Sequence, residues 1–257
     1  MAFCAPLLLG MALACTVPVH IGIIIPYRNR DHHASVLIPH LLGYRRAHFP
    51  CDYFHVWVVE QDNLEPFNRA WLGNVGLSLA LNATVRFKCI VFHDVDLKPA
   101  EGVPYTSCEA PVQLSSELEH FNWGVPYATS AGGVVSMRPE HWEQVNGFSN
   151  DYVGWGGEDD DLYHRIRMAG LLVASGSAID RPKPGTGRFH TIDESKANHP
   201  RAQSHEFYAK STAILKDMAS GSARWKTDGL NSVAYRVTKT EVRSRGVVWV
   251  HAKHPFL

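Results

Sequence analysis

The chain has no Cys-x-x-Cys pair, and its five cysteines are too few for a disulfide scaffold. Nothing in their spacing points to a zinc ribbon or a thioredoxin-like site. Net charge is also lacking, because 25 basic side chains stand against 25 acidic ones. Without a basic field, nucleic acid is not an expected partner and an anionic membrane surface is not attracted, so any anionic ligand must be held by local groups. No apolar run is long enough to span a bilayer; the one near the N-terminus covers only residues 5–14. There are no internal repeats and no linker-like stretch that would divide the chain in two. What remains is an ordinary globular composition over 257 residues, enough to bury a full core.

Residues 5–14 have the length of a signal-peptide h-region and end in an Ala-x-Ala-like pattern at Ala12 to Ala14, but no positive charge precedes them. Residues 1–14 are therefore read as a short apolar N-terminal segment, signal-like or a shortened stem, ahead of one domain over residues 15–257. Membrane association is expected only through an N-terminal anchor that this chain does not make evident. Asn82-Ala83-Thr84 matches the N-glycosylation acceptor, which matters only if the chain enters the secretory route.

The periodicities read as an α/β fold. Residues 21–25 are a continuous β-branched run closed by Pro26, as in a buried parallel strand that delivers its end to a loop. Helical spacing follows over 31–49, a second strand over 54–59, a helix over 67–81 and a third strand over 89–92. Strand, helix, strand, helix, strand implies a parallel sheet with helices on both faces and ligands at the strand C-termini. A further strand is expected over 131–137, a short helix over 139–146 and another over 158–169. Residues 179–225 show little periodicity and much Gly, Pro, Ser and His, which suggests a functional lid.

Three groups of residues carry chemistry. Asp94-Val95-Asp96 follows the third strand, where a period of two puts both carboxylates on one side and Val95 on the other. Hard oxygens there suit Mn²⁺ or Mg²⁺ bridging to a diphosphate, although a solvated acidic turn would look the same. Arg28, Arg30 and Arg69 stand near the same sheet edge, where guanidinium forks could grip a pyrophosphate or a uracil edge; surface arginines more often do neither. The segment Gly154-Trp155-Gly156-Gly157-Glu158-Asp159-Asp160-Asp161 is the most informative. Acids favour a helix N-terminus, but four in a row repel one another unless a ligand or cation uses them. An indole offers a face to a sugar, and a carboxylate beside a hydroxyl can act as its general base.

Taken in order, Ile23-Ile24-Ile25-Pro26-Tyr27-Arg28-Asn29-Arg30, Phe67-Asn68-Arg69-Ala70, Asn74-Val75-Gly76, Phe92-His93-Asp94-Val95-Asp96-Leu97, Gly132-Gly133-Val134, Asn146-Gly147-Phe148, the acidic segment and Asp228-Gly229-Leu230-Asn231-Ser232 resemble the β-1,4-galactosyltransferases. The resemblance covers roughly residues 15–237. It implies a GT-A-type nucleotide-sugar-binding fold, with a mostly parallel central sheet flanked by helices and a long C-terminal acceptor-side lid. It further implies an inverting, metal-dependent hexosyltransferase of the Golgi lumen. Such an enzyme would move galactose from UDP-galactose to a hydroxyl, O4 by preference, of a terminal N-acetylglucosamine, glucose or xylose on a glycoprotein, glycolipid or free sugar.

The same resemblance implies the roles of individual residues. Asp159 would be the catalytic base, with Trp155, Gly157, Glu158 and Asp160 on the acceptor. Pro26, Tyr27, Arg28, Arg30, Phe67, Arg69, Asp94, Val95, Asp96, Ser130 and Trp155 would meet the donor. Mn²⁺, or Mg²⁺, would be held by Asp96 with His190 first, Glu194 second and Asp193 third among candidates for the later ligands. In that stretch the family carries His with Met or a second His, whereas this chain reads Phe189-His190-Thr191-Ile192-Asp193-Glu194. Cys89 and Cys108 would form a disulfide, Cys15 would pair with Cys4 across a shortened segment, and Cys51 would be left over. Ser130 stands where many members carry a Tyr that crowds the donor sugar's C2 substituent, so N-acetylgalactosamine transfer is the alternative. A carbohydrate-binding pseudoenzyme with a decayed metal shell is the other.

Overall fold

The β-branched run becomes β1, His20–Tyr27, and it is apolar on both sides because both sides are covered. Ile21, Ile23 and Ile25 join a core with Leu37 and Leu41 of α1, Asp31–His48, while Ile24 faces Leu72 and Val75 of α2, Arg69–Leu81. Side chains on a strand alternate between faces, so one run feeds two cores. Gly76 lets α2 lie close on the sheet, since a Cβ there would come 2.3 Å from the Ile24 Cγ2. The structure, a computed structural model, describes residues 17–154, 156–172, 178–193 and 205–255. Trp155, Glu194, Cys4, Cys15 and the segment 1–14 lie outside these.

β2, Tyr53–Gln61, and β3, Cys89–His93, flank β1 in parallel register. β1 runs through Pro26 instead of stopping before it. Its ladder to β3 ends at Ile24 opposite Phe92, so at Pro26 the strand is paired on one side only, a position that tolerates a missing N–H. The seven-stranded sheet has the order β5-β7-β3-β1-β2-β10-β9. In it β7, Val134–Met137, pairs antiparallel with β3, and β5, Val112–Gln113, pairs antiparallel with β7 at the edge. β10, Val247–Lys253, pairs parallel to β2, and β9, Arg236–Ser244, forms an antiparallel edge on β10. The mostly parallel sheet flanked by helices is thus the observed one, with antiparallel borders.

Three short strands form a second sheet in the order β4-β8-β6: β4 is Leu97–Pro99, β6 is Glu117–Leu118 and β8 is Arg188–Thr191. α3 is Pro139–Gln144, α4 Glu158–Met168 and α5 His205–Ala219. The stretch expected to be irregular therefore contains a strand and a 15-residue helix. Ser211, Ile214 and Met218 are buried at helical spacing, but a serine in that series hides the period. Likewise α2 begins at Arg69, because the Asn68 side chain accepts from the Trp71 N–H and ends the preceding extended segment.

Cys89 and Cys108 are joined, with their Cα atoms 5.8 Å apart, as the resemblance implies. Cys51 is disulfide-bonded as well, to a cysteine outside the described residues. That corrects the reading in which it is left over. The expected Cys4–Cys15 pairing lies outside the described residues.

Candidate active site

The parallel strands bring their C-terminal ends to one edge, and β3 ends there at His93, directly before Asp94. The His93 imidazole is fully buried and fixed at both nitrogens: Nδ1 donates to the Asp94 carbonyl at 2.8 Å, and Nε2 accepts from the Tyr105 hydroxyl at 2.9 Å. Burial pushes its pKa down to about 4, so the ring is a neutral peg under the acidic turn. Beyond the turn, Asp94 and Asp96 line a cavity of about 800 Å³. Val95 is buried in the core while 94–96 form a turn, so it is the turn and not a strand's period of two that puts both carboxylates on the cavity side.

The opposite wall is the N-terminus of α4. Gly157, Glu158, Asp159 and Asp160 all line the cavity, in which the helix dipole favours their negative charge. Arg69, at the start of α2, links the two walls. Its Nε donates to Asp94 Oδ1 at 2.7 Å, and its Nη1 donates to Asp159 Oδ1 at 2.7 Å and to Glu158 Oε1 at 3.3 Å. The guanidinium also lies 4.5 Å over the Phe92 ring. Burial opposes its charge, but Asp159, Asp94 and Glu158 outweigh that and hold it protonated. Four acids in a row are thus partly explained, since one part-buried arginine serves two of them and also Asp94, just past the end of β3.

The remaining acids differ in environment. Burial, and then the neighbouring Asp159, push the Glu158 carboxyl up to about 7 against the pull of Arg69. Asp160 is raised by burial, opposed by the Tyr127 hydroxyl that donates to it at 2.8 Å. Asp161 turns inward as a fully buried partner of Arg165 and does not line the cavity. Gly132 forms the floor beneath Asp159: a Cβ at that position would come 2.2 Å from Asp159 Oδ2.

Arg28, Arg30 and Phe67, expected on the donor, do not line this cavity. Arg28 lies 5.2 Å over the Phe67 ring and donates to the Glu65 carbonyl. Behind them, buried Gln61 at the end of β2 donates to Asn63 Oδ1, the Glu65 carbonyl and the Pro66 carbonyl, and accepts from the Asn68 N–H. One amide therefore sets the course of the chain that presents Phe67 and Arg69. Arg30 is 3.8 Å from Asp96. Two expected donor contacts are corrected at the side-chain level: Tyr27 is buried with its hydroxyl on Asp31, and Val95 is in the core, so only their backbone can face a ligand.

Ser130 is buried on the cavity wall beside Gln113, whose Nε2 lies 3.4 Å from its hydroxyl and donates to the Gly132 carbonyl. Gln113, His120, Phe121, Tyr127, Thr191 and Tyr208 line the cavity without having been singled out from the sequence. They come from the short strands β5 and β8, a single 3₁₀ turn over Glu119–Phe121, irregular chain at Tyr127 and α5, pieces too short or too far apart for a local pattern to announce them. Conversely, His190 does not line it. Its ring is edge-on to Trp123 and 3.3 Å from Glu119 Oε2, while the next residue, Thr191, faces the cavity.

Carboxylate oxygens at this mouth are the donor type that fits a hard divalent cation. Asp96 supplies one and Asp94 a second, although Asp94 is shared with Arg69. Among the described residues no group of three His, Cys, Asp or Glu side chains converges to complete a shell.

Comparison with known proteins gives one answer over most of the chain. Residues 11–109 match the family model described as the N-terminal region of glycosyl transferase group 7, and residues 112–195 match that described as the N-terminal domain of galactosyltransferase. Rat β-1,4-galactosyltransferase 4 is 36% identical over 228 residues, which is 88% of this chain and 61% of the relative. Human β-1,4-galactosyltransferase 5 is 36% identical over 217 residues, covering 84% and 51%. The chain belongs to the β-1,4-galactosyltransferase family. It spans between about half and three fifths of the length of these curated relatives.

The catalytic domain of Drosophila β-1,4-galactosyltransferase 7 shares the fold, with 25% identity, 92% of this chain and 94% of that chain covered, and TM-scores of 0.69 in its complex with xylobiose and 0.70 in a mutant complex with manganese, UDP-Gal and xylobiose. The fold class is therefore GT-A. In this family member, the two carboxylate walls that the sequence placed 65 residues apart, Asp94 and Asp159, meet on one guanidinium.

Proposed function

We propose that this family member is an inverting, metal-dependent galactosyltransferase that moves galactose from UDP-galactose to a sugar hydroxyl. The observation that carries the reading is Asp159 standing in the same cavity as Asp94 and Asp96, oriented by Arg69 and seated on Gly132. A carboxylate in that position accepts the proton of an acceptor hydroxyl as its oxygen bonds to the anomeric carbon from one side. The bond from that carbon to UDP breaks on the other side, which inverts the configuration. Arg28 and Phe67 hold the nucleotide, and Asp160 with the cavity-facing aromatics holds the acceptor. Asp96, with Glu194 outside the described residues, would hold Mn²⁺ or Mg²⁺, and the ion's chemistry is to offset charge on the departing diphosphate. Asp193 is the third candidate.

The acceptor favoured by this reading is O4 of a terminal N-acetylglucosamine, glucose or xylose. Trp155 would stack on it. The compartment is proposed to be the lumen of the secretory route, ending in the Golgi, which the Cys89–Cys108 bond supports. Among the described residues no helix is long and apolar enough to cross a membrane. A second donor is favoured by one observation: small Ser130 on the cavity wall leaves room for an N-acetyl group, which makes UDP-N-acetylgalactosamine the alternative.

The test is release of UDP from UDP-galactose, UDP-N-acetylgalactosamine and UDP-glucose with each acceptor, with and without Mn²⁺. Acceptor-dependent release from UDP-galactose that needs Mn²⁺ is expected. Release from the N-acetylated donor alone would replace the donor, and glycan binding with no release from any donor would replace the enzyme by a pseudoenzyme.

A further inference from the structure

Asn82-Ala83-Thr84 takes no part in the cavity. Of the ten asparagines in the chain, only Asn82 is followed two positions later by Ser or Thr, the acceptor pattern for N-linked glycans. Asn82 is the C-terminal cap of α2, and both Asn82 and Thr84 are exposed. Among the described residues the amide makes one bond, from Nδ2 to the Ser78 carbonyl at 2.8 Å, and it faces solvent, so water can replace it at little cost.

Placement in the fold argues the same way. α2 opens at Arg69 beside the cavity and runs 13 residues away from it, about 20 Å at the helical rise. A glycan on Asn82 would therefore start from the end of α2 remote from the cavity, whose lining includes no residue of α2. An independent observation concerns the compartment: Cys89, seven positions downstream, is bonded to Cys108, and Cys51 is bonded too. Disulfides persist where the environment is oxidising, which includes the compartment in which N-glycans are added.

We propose that Asn82 carries an N-linked glycan. Its Nδ2 forms a bond to the anomeric carbon of an oligosaccharide delivered on a lipid diphosphate. The bond from that carbon to the diphosphate oxygen breaks, the lipid diphosphate leaves with the electron pair, and the amide nitrogen gives up one proton.

The chain is expressed behind a secretion signal in animal cells, and its mass is compared before and after peptide-N-glycosidase treatment. Wild type is expected to lose one glycan and to show Asp at position 82 in the digested peptide. Asn82→Gln and Thr84→Ala are expected to show no shift, and Thr84→Ser to keep it, which separates lost glycosylation from a folding defect. Secreted wild type without a shift, or a shift that persists in Asn82→Gln, overturns the proposal. UDP release before and after enzymatic deglycosylation is expected to be equal, so the outcome is independent of whether the galactosyltransferase reading stands.

Discussion

Gly132→Ala moves the proposed base without changing its chemistry. The added methyl would lie 2.2 Å from Asp159 Oδ2 and 2.6 Å from its Cγ, and both distances must open to ordinary van der Waals contact. The carboxylate is the far end of a partly exposed side chain, so it can yield by at least about 1 Å toward the cavity while the backbone stays in place. That shift also stretches its 2.7 Å bond to Arg69. A misplacement of about 1 Å at a reacting group costs roughly 10²-fold in rate. The Gly132→Ala protein should therefore melt within a few degrees of wild type and bind UDP normally, while kcat falls by about 10²-fold. Asp159→Asn is the limiting case, with a loss of about 10²- to 10⁴-fold because the base is gone. The assay is acceptor-dependent UDP release, paired with thermal melting and UDP titration. Wild-type kcat in Gly132→Ala would refute the placement of the base, and a collapsed melting temperature would refute the claim that the side chain yields rather than the fold.

Three further outcomes follow from the geometry. Glu158 binds its proton more tightly in the fold, near pH 7, than at its ordinary 4.5, so wild-type stability should decline as pH rises between those values. Glu158→Gln cannot ionise, and its melting temperature relative to wild type should climb across that window and level off above it; a difference flat with pH would show the carboxyl is not raised. Gln61→Met keeps volume but removes the donors that hold the Glu65 and Pro66 carbonyls, so KM for the nucleotide sugar should rise about tenfold, with acceptor KM and kcat nearly unchanged. An unchanged donor KM would sink that role for Gln61. His190→Ala should leave Mn²⁺ activation within about twofold of wild type, because the ring rests on Trp123 outside the cavity; a large loss in Mn²⁺ titration would restore His190 as a ligand.

Much was legible where local pattern and local structure coincide. The isoleucine run, the helical spacing of Leu37 and Leu41, and the apolar strand before Asp94 specify β1, α1 and β3 because each buries its own periodic face. Glu158, Asp159 and Asp160 were legible as a site because consecutive like charges are costly without a partner. Residues 205–219 and 247–253 were not read as elements, although both are regular. A serine sits in the buried series of the helix, and β10 takes its partner, β2, from 191 positions earlier.

The chain's own order of residues determined the family, the Asp-x-Asp turn, the acidic helix start and the cysteines available for bonding, since these are properties of neighbours along the backbone. Only the tertiary structure decided that Arg69 would bind both carboxylate walls, that Gly132 would be the seat of Asp159, that Thr191 and not His190 would face the cavity, and that Cys51 would be bonded. Each of those depends on which distant segments share a volume, and no local period encodes that.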